Sequence, residues 1–307
     1  MQILQTILPL VMAIGTAMMI DRLTEAKGLL PPNFRVAADT GAATGSLAVR
    51  QRAILLRSAA MGVVSLVLWI GVFAPLSFLG RQPETSPQNL STPDLFVLHS
   101  IFLAGLAVWY LLGFVGSGRD AGTAWVEQLG LDVGGPGRRG LTREIGIGLA
   151  AGVAGWLGVI AALFAIAALL YLLGAESMLP TRAPEIITWV VALPVGVRVA
   201  LSLSAGVVEE LFFRGFLQPR IGIVLSSVLF VLAHLSYDQP FLLIGVALLS
   251  VLFAFLVRWR QSIWAAVVAH ATFDAIQLLI VIPRALDLLE REESGLVALV
   301  IGGLAGL

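Results

Sequence analysis

The chain has 307 residues, 58% of them hydrophobic and 12% charged, with a formal net charge of zero and a mean hydropathy of +0.95. Soluble domains are typically about 45–50% apolar and about 25% charged, so this is the composition of a polytopic membrane protein. Zero net charge leaves no basic field for nucleic acid. The lack of cysteine excludes disulfides, thiolate metal sites and cysteine nucleophiles.

Apolar runs of spanning length lie at roughly 3–20, 55–79, 95–116, 145–174, 186–216, 221–236, 241–257 and 262–282. They predict an all-α transmembrane helical bundle of about eight spans. A further run, 295–307, is too short to span. The first run lacks a basic start and a small-residue cleavage site, and reads as a retained helix. The runs beginning near Glu144 and Pro184 exceed the about 20 residues a span needs. Such a run must tilt, break (Pro194 is the candidate) or project from the bilayer. Gly148 and Gly152 form a GxxxG and predict close helix packing. The loops 21–54 and 117–143 are rich in Gly, Pro and Ala and carry no folded-domain pattern. GSGRDAG (116–122) follows no strand and is not a nucleotide fingerprint. Residues 1–143 thus form an N-terminal part of unassigned role, and residues 144–307 hold the polar positions discussed next.

Loop charge orients the chain. With the N-terminus outside, the inner loops and helix ends hold fourteen Lys and Arg residues and the outer ones four, with Arg198 mid-span. That asymmetry favours an N-out topology, and no organelle address is present, so the plasma membrane is the expected location.

Ionisable residues inside spans are costly unless paired or facing water, and mark function by default. In VVEELFFRGFL (207–217), Glu210 and Arg214 are four apart and share a helix face. Glu209 lies about 100° further round the helix and is left unpaired. His270 and Asp274 are again four apart; the carboxylate can fix the imidazole tautomer, or both can face one ligand. At about 1.5 Å per residue, Glu209 and His270 lie about 12 Å from their inner helix ends and His234 about 20 Å. One glutamate, two histidines and an aspartate at compatible depth can activate water. Taken singly, each can equally be polar glue between helices. His99, near the outer end of the third run, reads as a packing or interfacial residue. Arg198 reads as the partner of a nearby carboxylate. Tyr237–Asp238 reads as a short outer turn before Pro240.

EELFFR fits the EExxxR motif of the CPBP family, the intramembrane proteases that include type II CAAX prenyl endopeptidases and bacterial Abi-type proteins. FVLAH (Phe230 to His234) resembles the family's FxxxH, and HATFD (His270 to Asp274) its HxxxN/D. The three motifs occur in order within about 65 residues, inside 186–282. The resemblance implies an intramembrane endopeptidase acting on a membrane-associated or prenylated protein or peptide. It implies Glu209 as general base with His234 holding the water, and His270 and Asp274 at the tetrahedral intermediate or the same centre. Glu210 and Arg214 would hold the helix geometry, and Phe230 would pack beside the site. Glu209, His234, His270 and Asp274 are adequate zinc ligands and equally adequate for a metal-free base. Where the family often has Asn, this chain has Asp274. An amide can donate to an oxyanion and an ionised carboxylate cannot, which points Asp274 toward a metal or toward a protonated His270.

No HExxH, GxSG or GxGD occurs, so other intramembrane protease chemistries lack their residues. Two other classes stay open at this point. One is a transporter using Arg198 and His99, although no inverted repeat of broken helices supports it. The other is a non-catalytic membrane scaffold of the same fold.

Overall fold

The computed structural model describes residues 2–35, 47–78, 91–117, 121–132, 140–179, 185–235 and 240–291. The run 295–307 and the Tyr237–Asp238 turn lie outside the described residues. The regular elements described are all helical. They are α1 (Gln2–Ala26), α2 (Leu47–Leu68), α3 (Asp94–Phe114), α4 (Ala121–Gln128), α5 (Leu141–Leu172), α6 (Glu185–Ala192), α7 (Val195–Glu209), α8 (Gln218–Ala233), α9 (Pro240–Arg260), α10 (Trp264–Ile276) and α11 (Ile282–Arg291). Among the described residues, seven helical stretches are long and apolar enough to cross a membrane. The chain is an integral membrane protein.

The longest stretch, Val195–Ala233, has 39 residues. Straight, it would measure almost ~60 Å, about twice a bilayer's hydrocarbon core. It folds back on itself at Gly222, whose φ of 83° and ψ of 173° suit glycine and strain any residue with a Cβ. Glu209, 13 residues before Gly222, therefore faces His234, 12 residues after it. Phe213 packs on Phe230 one turn nearer the reversal. Seven stretches thus make eight legs, and the apolar runs 186–216 and 221–236 are separate legs as read. Pro194 separates α6 from α7 with an extended backbone, because its ring and missing N–H interrupt a continuous helix. α5 stays unbroken for 32 residues, about 48 Å, so it must tilt or project.

The motif-bearing segment Glu210–Leu217 is wound as a π-helix, as is Gln277–Val281 after α10. π-Helical turns are rare and cluster at functional sites. Here the wide winding begins at Glu210 itself and runs through Arg214.

α10 lies between α5 and α7, and glycines set the spacing. A Cβ added at Gly148 would meet the Ala265 carbonyl at 2.7 Å, at Gly152 the Ala269 carbonyl at 2.7 Å, and at Gly206 the Val267 carbonyl at 2.7 Å. The GxxxG is a close-packing face, as its spacing predicts. Lipid is as apolar as a side chain, so close van der Waals contact, not water exclusion, holds such helices. On the opposite side, α3 grips the π-helical segment with rings. Phe102 stacks on Phe212 at 4.4 Å and meets Phe213 edge-on at 5.7 Å, and Trp109 meets Phe216 edge-on at 5.3 Å. Such pairs contribute about 0.5–1.5 kcal/mol each beyond burial. Ion pairs fix the margins: Arg57 on α2 reaches Asp21 at 2.7 Å and Glu25 at 2.8 Å on α1, and Arg260 pairs with the buried Glu144 of α5.

Gly206 tests this packing. Gly206→Ala is expected to destabilise by about 1–3 kcal/mol, because backbone of α10 must move to admit the methyl. Gly158→Ala, whose Cβ would meet nothing within 4 Å, should leave the Tm within about 2 °C. Thermal unfolding of both purified proteins in detergent checks the contrast, and equal shifts would contradict it.

Candidate active site

Glu209 ends α7 and Glu210 opens the π-helical segment, and the two carboxylates point to different neighbours. Glu209 Oε1 lies 3.4 Å from Nε2 of His99 on α3, and its Oε2 lies 3.7 Å from Nε2 of His234 at the end of α8. Glu210 Oε1 lies 3.0 Å from His270 Nδ1 on α10, and its Oε2 lies 3.4 Å from Arg214 Nε. His270 Nε2 in turn lies 3.6 Å from Asp274 Oδ2. Glu209 is only 9% exposed, and Glu210 and Arg214 are fully buried. In a spanning leg these charges persist only because each faces a compensating group.

Arg214 is held from three directions. Glu210 lies on one side, Nη2 donates to the Ser250 carbonyl at 3.2 Å and to its hydroxyl at 3.3 Å, and the guanidinium sits 4.7 Å over the Phe230 ring. Phe230 also stacks on His234 at 4.5 Å. His234 Nδ1 lies 2.7 Å from the Phe230 carbonyl. A carbonyl only accepts, so Nδ1 carries the proton, and in the neutral ring the Nε2 lone pair faces Glu209. His99 Nδ1 lies 2.8 Å from Ser204 Oγ on α7.

All seven positions singled out in the sequence therefore gather in one region, and three readings change. Glu210 does not pair with Arg214 alone, because the Gly206 approach brings α10 close enough for His270 to share its carboxylate. Glu209 is not left unpaired: it lies between two imidazoles. His99 is no peripheral packing residue, because α3 runs parallel to α7 and the ring contacts at Phe102 and Trp109 put His99 level with Glu209. The sequence held one usable trace of this. His99, Phe102, Leu106 and Trp109 follow a helical face, and all four are buried. Arg198 also departs from expectation. Its Nη1 donates to the Leu278 carbonyl at 2.7 Å, where the helix widens, and among the described residues no carboxylate pairs with it.

A resident zinc would need three or more of these donors to converge on one point. Among the described residues no group of three His, Cys, Asp or Glu does so. The donors are divided between two neighbouring carboxylates, His99 and His234 facing Glu209 while His270 turns Nδ1 to Glu210. This arrangement does not fit a bound ion, and it offers instead a buried carboxylate beside a histidine acceptor.

Comparison with known proteins bears on the same helices. Residues 191–276 match the family model described as "Type II CAAX prenyl endopeptidase Rce1-like". A stretch of 77 residues is 34% identical to the "Uncharacterized protein YpbD" of Bacillus subtilis (strain 168), covering 25% of this chain and 41% of that protein. The chain thus matches less than half the length of that relative. No solved structure gives a significant match. Glu209, Glu210, Arg214, Phe230, His234, His270 and Asp274 all fall inside the segment 191–276 that is similar to this family.

Proposed function

We propose that the protein is an intramembrane endopeptidase in which Glu209 is the general base. The observation that carries this is the buried Glu209 carboxylate facing the ring nitrogen of His234 across 3.7 Å. Both groups are acceptors when the imidazole is neutral. A water reaching both would donate one hydrogen to each, which leaves its lone pairs aimed outward at a carbonyl carbon. Glu209 takes the proton as the C–O bond forms, and returns it to the amide nitrogen as the C–N bond breaks. The products are a carboxylate and an amine.

His270 has a carboxylate at each ring nitrogen, Glu210 at 3.0 Å and Asp274 at 3.6 Å. An imidazolium can donate to both at once, and a neutral ring to only one. A cationic His270 close to Glu209 stabilises the developing oxyanion. Asp274 in this chain is then the group that holds that charge, in place of a donor amide. Arg214 balances Glu210 so that Glu210 does not compete as a base. The substrate class that the family supports is a membrane-associated protein or peptide, with a prenylated CAAX-type protein as the specific candidate. The partners are that substrate and the lipid bilayer. The location proposed is the plasma membrane with the N-terminus outside.

Three experiments test this reading. Cleavage of a quenched library of membrane peptides, including prenylated CAAX peptides, is expected from the purified wild type. Glu209→Gln should lower kcat by about 10²–10⁴-fold with unchanged thermal unfolding, and a chelator should leave the wild-type rate within about twofold, since no step passes through a metal. Activity in Glu209→Gln equal to wild type would sink the mechanism. Asp274→Asn should lower kcat about 10–100-fold, the range for losing a histidine's outer partner, with KM little changed. Wild-type turnover in that variant would mean that position 274 donates directly. The chain has no cysteine, so topology is readable from single substitutions. Ser91→Cys should label from outside intact cells with an impermeant thiol reagent, and Gln261→Cys only after permeabilisation. The opposite pattern would invert the orientation.

A further inference from the structure

The family segment begins at residue 191, yet one side chain on Glu209 comes from far outside it. His99 sits on α3, is 7% exposed, and turns Nε2 toward Glu209 Oε1 at 3.4 Å. Its other nitrogen lies 2.8 Å from Ser204 Oγ. Ser204 stands five residues before Glu209 on the same helix, so α7 grips the imidazole at two points. A hydroxyl can donate or accept as required. When it donates to Nδ1, the neutral ring carries its proton on Nε2, aimed at the carboxylate. The register is not accidental. His99, Phe102 and Trp109 of α3 meet Glu209, Phe212 and Phe216 in the same order. The aromatic contacts hold α3 at the height where His99 reaches Glu209.

We propose that His99 is a positioning residue for the catalytic base, donating from Nε2 to Glu209 Oε1 and thereby turning Oε2 toward His234. This rests on the reading of Glu209 as the base. A carboxylate has two equivalent oxygens and free rotation about its last bond. Occupying one oxygen from α3 leaves the other to face the water and His234. It also gives the N-terminal helices, which the family match does not reach, a direct part in the site. Ser204 acts at one further remove, by setting the tautomer of His99.

The test uses two independent readouts on the full-length protein in detergent or lipid. The chain has only three histidines, so ¹⁵N-histidine labelling gives three ring-nitrogen sets, and the set lost in His99→Gln is that of His99. The expected spectrum has Nε2 of His99 protonated. An unprotonated Nε2 overturns the proposal whether or not any peptide is cleaved. The kinetic arm compares His99→Ala with His99→Gln, whose amide can place an N–H near the position of Nε2–H. His99→Ala should lower kcat about 10–100-fold with KM within about threefold, the pattern of a group that acts on the transition state. His99→Gln should recover to within about fivefold of wild type at equal thermal stability. Unchanged kcat in His99→Ala, or equal loss in both variants, overturns it. If Glu209→Gln cleaved as well as wild type, the base assignment would fall, while the nitrogen spectrum would still decide whether His99 donates to that carboxylate.

Discussion

Two adjacent carboxylates buried in an apolar bundle are the constraint on which the rest of this structure depends. An isolated charge in a hydrocarbon environment costs several kcal/mol or more. Glu209 and Glu210 are consecutive, so one cation cannot serve both without crowding. The structure divides the task. Glu210 is compensated by Arg214 from its own leg and by His270 from α10. Glu209 is met by His99 from α3 and His234 from α8. Four different legs must therefore converge at one height, and the packing serves that convergence.

The means of convergence differ on the two sides. Toward α5 and α10, absent side chains do it: Gly148, Gly152 and Gly206 allow backbone to approach backbone. Toward α3, large side chains do it, through Phe102 and Trp109 against Phe212 and Phe216. The contrast has a physical basis. A glycine contact fixes distance but allows sliding, whereas an interlocked ring pair fixes register along the helix. His270 needs closeness to Glu210, and His99 needs the correct height.

Polar groups divided between two carboxylates also distinguish this site from a preformed metal centre. A structural or catalytic zinc site draws three or four ligands to one point. Here His99 and His234 face Glu209 while His270 faces Glu210 and reaches toward Asp274. The same residue types can serve either chemistry, and the base role proposed for Glu209 rests on their arrangement. Arg214, fixed by Ser250 and the Phe230 face, keeps Glu210 engaged, so that only Glu209 is poised toward His234.

The amino-acid sequence by itself determined the class of the molecule and most of its reactive inventory. Runs of apolar residues about a bilayer long admit only helices that satisfy their own backbone, so the helical bundle followed from composition. Helical spacing of four put Glu210 with Arg214 and His270 with Asp274, and the ordered motifs gathered Glu209, Phe230 and His234 with them. Tertiary structure alone decided who faces whom. Residue spacing reports neighbours along one helix, and the contacts that matter here run between helices. The reversal at Gly222 levels Glu209 with His234, the close approach of α10 at Gly206 brings His270 to Glu210, and the parallel docking of α3 brings in His99. That histidine is 110 residues from Glu209 in the chain, and no local period can encode such a meeting.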